Sequence, residues 1–163
     1  MKKIVIAALA ATTAFASPAL AQSGSFGSSG TDSTPLRATI AAVCTIDAPA
    51  GGSLTVGTAD QAIGNTAAQC NDPDGFTATI ASANGGVLKG TGNNTQTIAY
   101  TMTIANVPSA TNLSLANQYT FTQGGEANAV AGYTLPTTVT VENPAIAFAD
   151  DYSDTITFSI VAQ

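Results

Sequence analysis

The 163-residue sequence contains no histidine and no tryptophan, only two cysteines, and few charges. Without imidazole it lacks the side chain that most often moves protons in catalysis near neutral pH, and the commonest transition-metal ligand. Two cysteines, Cys44 and Cys70, are too few and too far apart for a structural zinc site. The absence of tryptophan removes the indole platform that a glycoside-cleaving site would use. Lys, Arg, Asp and Glu together make up 9% of the chain, against about 25% in ordinary globular domains. No nucleophile elbow, phosphate-binding loop or dinucleotide fingerprint occurs. These absences argue against an enzyme, and no cofactor is expected.

What is present begins with an export signal. Lys2 and Lys3 precede an apolar run from Ile4 to Ala16, and Ala19-Leu20-Ala21 forms a small-residue cleavage site. The pattern predicts a signal peptide over residues 1–21, cut between Ala21 and Gln22. The apolar run is short for a membrane span, and Ser17 and Pro18 break it. The remaining chain keeps two basic residues, Arg37 and Lys89, against ten acidic ones, a formal charge of −8. That balance disfavours nucleic acid and anionic membrane as partners. In an exported chain the two cysteines are expected to form one disulfide, Cys44–Cys70.

The periodicity is that of strands. Leu36, Ala38, Ile40, Ala42, Cys44 and Ile46 alternate through LRATIAAVCTI, which predicts a first strand over 36–46. Further strands are expected at 53–56, 66–70, 75–82, 87–89, 97–105, 118–123, 127–135, 137–142 and 152–163. Residues 57–65 read as a polar loop, and Asn84-Gly85-Gly86 as a hairpin turn. No stretch keeps a helical period, and Thr, Ile and Val fill the alternating runs as strands prefer. Short strands with turn signals about every ten residues predict an all-β antiparallel sandwich over 36–163. Residues 22–35 have the Ser/Gly composition of a flexible tail, and Phe26 is their one large apolar residue.

Three stretches carry a resemblance. They are AAVCTID at 41–47, QCNDPDGFTATIASANGGVLKG at 69–90, and the ending DYSDTITFSIVAQ at 151–163. In that order they are similar to the spore coat protein U domain family, the pilins of archaic chaperone–usher pili. The likeness covers most of residues 36–163. It implies an immunoglobulin-like sandwich that lacks its last strand and is completed by donor-strand exchange with a neighbouring copy. A periplasmic chaperone and an outer-membrane usher would serve the assembly, and the product would be a surface fimbrium supporting attachment or biofilm. The disulfide would join the first strand to the start of the second, at Cys44 and Cys70. The acceptor groove would lie between the first strand (Leu36, Ala38, Ile40) and the last (Ile156, Phe158, Ile160).

The implied donor is the tail, with Phe26, Ser28, Gly30, Asp32 and Thr34 at alternate positions. It departs from the pattern, since only Phe26 is a large apolar residue. Three readings follow: a donor with small anchors, a donor that overlaps Leu36–Ala42, or a subunit that is not a standard polymer-former. Two other functions compete, a self-complemented coat or matrix protein and a single-domain glycan-binding adhesin. Asp72 with Asp74, and Asp150 and Asp151 with Asp154, could supply oxygen ligands to calcium. Acidic residues in such turns ordinarily bond nearby backbone instead, and no metal site is assigned to them.

Overall fold

A computed structural model describes residues 31–163. The signal peptide over 1–21 and the tail positions Gln22, Phe26, Ser28 and Gly30 lie outside the described residues. The chain divides into two units at Ala38/Thr39. Of the first, residues 31–38 are exposed and belong to no strand or helix.

The second unit is nearly all β. Its elements among the described residues are β1 (Cys44–Asp47), β2 (Gln61–Cys70), β3 (Phe76–Ser82), β4 (Val87–Gly90), β5 (Thr97–Ile104), β6 (Tyr119–Gln123), α1 (Ala127–Ala131), β7 (Tyr133–Val141), β8 (Tyr152–Ser153) and β9 (Ile156–Ala162). One sheet has the order β1-β2-β7-β5-β4-β8 and the other the order β6-β3-β9. Each strand pairing is antiparallel. The two sheets close over a shared core, which makes the fold sandwich-like.

Alternation builds that core. Ile98, Tyr100, Met102 and Ile104 of β5 point inward, as do Leu135, Val139 and Val141 of β7. Ile80 of β3 meets them from the opposite sheet, with Phe121 of β6 and Phe158 of β9 half-buried beside it. A second cluster, Ala68, Cys70, Phe76 and Ala78, fills the end of the sandwich near β1. Two inward positions are polar: Thr66 and Thr137 are buried with their hydroxyls 3.0 Å apart. Thr137 also donates to the Leu135 carbonyl at 3.1 Å, so Thr66 completes the chain by donating to Thr137.

Several sequence expectations are corrected. The first strand is not 36–46 but Cys44–Asp47. Its partner β2 ends at Cys70, and the Asn71–Gly75 turn then carries the chain to the other sheet, so residues 36–42 have no ladder to join. Leu36, Ala38 and Ile40 are therefore exposed and are not strand residues. Residues 53–56 form no strand either, because the Gln61 side chain takes a partner's place. It accepts from Thr55 N–H at 2.6 Å and donates to the Thr55 and Thr58 carbonyls. The expected loop at 57–65 is instead half strand, since β2 starts at Gln61 and carries a bulge at 62–64. The alanine-rich ANAVA is a short helix rather than a strand, as alanine favours, and β7 begins after Gly132.

Asn84-Gly85-Gly86 closes no hairpin, because β3 and β4 lie in different sheets. The turn is a crossover. Gly86 has φ +81°, and a Cβ there would stand 1.6 Å from the Ser114 carbonyl oxygen, so a side chain is excluded by both backbone and space.

Replacing Thr137 by Val removes the acceptor that Thr66 needs and should cost about 1–3 kcal/mol. Thr66→Val leaves Thr137 bonded to Leu135 and should cost less, while the double variant should recover part of the Thr137→Val loss. Urea unfolding of the four proteins checks this; equal, additive losses would contradict the bonding scheme.

Candidate functional site

The second and smaller sheet ends in β9, an edge that pairs with no further strand among the described residues. Thr155 and Gln163 exchange backbone bonds with β3 and its flanks, through Ala83 N–H to the Thr155 carbonyl and Gln163 N–H to the Gly75 carbonyl. The register between these points is unbroken. Antiparallel alternation then turns the backbone groups of Thr157, Ser159 and Val161 toward β3. Those of Ile156, Phe158, Ile160 and Ala162 turn away. No strand among the described residues pairs with that outward side.

The side chains of the same four residues are incompletely covered. On β3 the inward residues Phe76, Ala78 and Ile80 are buried, whereas Ile156, Phe158, Ile160 and Ala162 on β9 are only half-buried. A strand that is central by its apolar content is thus placed at an edge.

Across from it stands β1. Asn71 N–H donates to the Val43 carbonyl, which sets residues 43, 45 and 47 as the bonded positions against β2. Cys44 and Ile46 turn their backbone groups the other way. Cys44 is the direct partner of Cys70 at such a non-bonded position, with Cα atoms 4.0 Å apart, and a disulfide joins them. Cα atoms of β1 and β9 come within 8 Å, but no ladder connects them. The side chains of Cys44 and Ile46 pack on the same cluster as Ile160 and Ala162. At the other end the seam widens into a cleft of about 220 Å³ between the Ala48–Leu54 segment and Ile156 and Phe158, floored by Ile63, Leu88 and Val139.

Asp154 closes the wide end. Its oxygens accept from the Tyr100 hydroxyl at 2.7 Å, the Ser82 hydroxyl at 2.5 Å, Asn84 N–H at 3.0 Å and Thr155 N–H at 2.7 Å. Ser82 in turn accepts from Gly86 N–H at 2.7 Å, and the Asn84 amide donates to the Ser153 carbonyl. One carboxylate therefore ties the β3–β4 crossover to the β8–β9 crossover, two of the places where the chain changes sheets. Burial, and then the bond to Asp154, push the Tyr100 pKa well above its ordinary 10.0.

Of the residues expected from sequence, Cys44 and Cys70 are brought together, and Ile156, Phe158 and Ile160 line the seam. Leu36, Ala38 and Ile40 are not at its edge as strand residues; the β1 side is formed by Cys44 and Ile46. Asp32 and Thr34 are exposed and outside any strand. The acidic turns do not converge into a metal site, since no group of three His, Cys, Asp or Glu among the described residues is placed to hold an ion. Asp72 caps its own turn, accepting from Asp74 N–H at 2.9 Å. Asp150 accepts from the Thr91 hydroxyl at 2.7 Å, which helps hold its pKa below the usual value. Sequence reasoning missed the joint role of Tyr100, Ser82 and Asp154; Asp154 lies inside an alternating run as its one acidic member, and that was the available signal.

No protein-family model matches the chain, and no curated protein matches it.

The raised Tyr100 pKa sets a pH dependence. The unfolded chain ionises near pH 10 and the folded chain only above it, so the contribution is intact below about pH 10 and declines as pH rises further. Tyr100→Phe should be less stable than the unaltered protein at pH 8. Above pH 10 its stability should fall less steeply, by about 1.4 kcal/mol per pH unit for the missing proton. Denaturation midpoints from pH 8 to 11 test this; parallel profiles would contradict it.

Proposed function

We propose that the chain is a structural subunit of an exported fibre of the chaperone–usher type, with no catalytic role. In this reading the sandwich is immunoglobulin-like and one strand short, and the missing strand comes from residues N-terminal to β1 in another copy. The observation that carries it is the outward edge of β9. Four residues there have backbone groups with no strand partner among the described residues, and the same four carry half-buried apolar side chains. An edge of this kind invites strand addition, in which ladder bonds supply affinity and alternate side chains supply fit. The disulfide supports passage through an oxidising compartment. The resemblance over 41–47, 69–90 and 151–163 supplies the class of assembly.

Before polymerisation a periplasmic chaperone would shield the seam, and an outer-membrane usher would exchange it for the next subunit. The product belongs at the cell surface, as a fimbrium that serves attachment or biofilm.

Purified mature protein should give ladders on unboiled denaturing gels that collapse on boiling. Removing residues 22–40 should leave monomers that still bind the chaperone. A truncated protein that still polymerises, or a mature protein that is a heat-stable monomer, would sink the reading; the second result favours a tail folded into its own seam.

A further inference from the structure

We infer that the strand entering the seam is Thr34–Ile40 of a second copy, with Leu36, Ala38 and Ile40 as its inward side chains, rather than the Ser/Gly tail around Phe26. The inference rests on the proposed strand exchange and assigns its donor.

The segment has a strand's pattern without a strand's place. Its apolar residues alternate, yet Leu36 is 93% exposed and Ile40 is 87% exposed. Exposed alternating apolar residues are what an unpaired strand presents to a partner. The lengths also agree. β9 is seven residues long with four outward-turned positions, and Thr34, Leu36, Ala38 and Ile40 supply four positions at the same spacing. Pro35 stands near the start of the segment, where a strand tolerates its missing N–H. Residues 22–33 contain one large apolar side chain, too few to cover Ile156, Phe158 and Ile160.

The occupant is assigned to another copy because Leu36 and Ile40 are exposed in their own chain while the outward side of β9 has no strand partner among the described residues. Asn71 holds the approach to β1 at three points. Its amide donates to the Ala41 carbonyl at 3.1 Å, its side-chain oxygen accepts from Val43 N–H at 2.6 Å, and its own N–H donates to the Val43 carbonyl. Ala41 and Val43 are therefore both held by Asn71 as the chain enters β1. Ala41–Val43 is thus a short and pinned link between the proposed donor and β1.

The test uses full-length mature protein. Phe26→Asp should form heat-labile ladders like the unaltered chain, and the Leu36→Asp/Ile40→Asp double variant should not. Both altered positions are exposed in their own subunit, so its core is untouched; retention of the Cys44–Cys70 disulfide and the β-type circular dichroism verifies folding. A synthetic peptide of residues 33–41 should bind the double variant and raise its melting temperature, and the same peptide carrying both aspartates should bind at least about 100-fold more weakly. The assignment is overturned if Phe26→Asp abolishes ladders while the double variant forms them, or if a peptide of residues 22–33 binds and 33–41 does not; the strand-exchange reading then survives. If neither peptide binds and neither variant changes assembly, that reading falls together with the assignment.

Discussion

A β-strand hydrogen-bonded along one side only is the constraint on which this molecule turns. β9 contributes Ile156, Phe158 and Ile160 to the core, yet its second row of backbone groups meets no strand among the described residues. Buried backbone polar groups need partners, and exposed ones on an apolar edge recruit them. Such an edge, beside half-covered apolar side chains, is the feature on which the proposed strand addition rests. The rest of the architecture shapes the seam beside it.

Two devices do so, at opposite ends of the seam. At the narrow end the Cys44–Cys70 disulfide fixes the four-residue β1 against β2, where so short an edge strand would otherwise fray. At the wide end Asp154 joins the two crossovers through Tyr100, Ser82 and backbone N–H groups. Neither device fills the gap. Each sets a wall, one covalently and one by hydrogen bonds to a single charge, and the seam runs between them.

The all-β sandwich was legible in the sequence because alternation is a local signal. β3, β5, β6 and β9 fall almost where the periodic runs placed them, and Cys44 and Cys70 pair as an exported chain with two cysteines implies. The errors came where partners decide the outcome. Residues 36–42 alternate as well as β5 does, but β2 ends before it can pair with them. Residues 53–56 are claimed by one glutamine side chain, and Gly86 turns the chain between sheets where the sequence predicts a hairpin. The Asp154 cluster was hidden for the same reason, since Ser82, Tyr100 and Asp154 are far apart in sequence and meet only after both crossovers form. Period two announces that a residue can sit in a sheet, and says nothing of which neighbour will be there.

The position of the disulfide also bears on force. Cys44 is the first residue of the first strand, and it is linked to Cys70, the last residue of the second. Tension applied through the residues before Val43 reaches Cys44 at once and crosses the sulfur bridge into β2. The 26-residue span between the cysteines is bypassed, so β1 cannot be peeled away and that length cannot be drawn out while the bridge is intact. A load entering at this end is shared with the ladder between β2 and β7, in the interior of the larger sheet, and a subunit placed in series with others would lengthen little before that ladder shears.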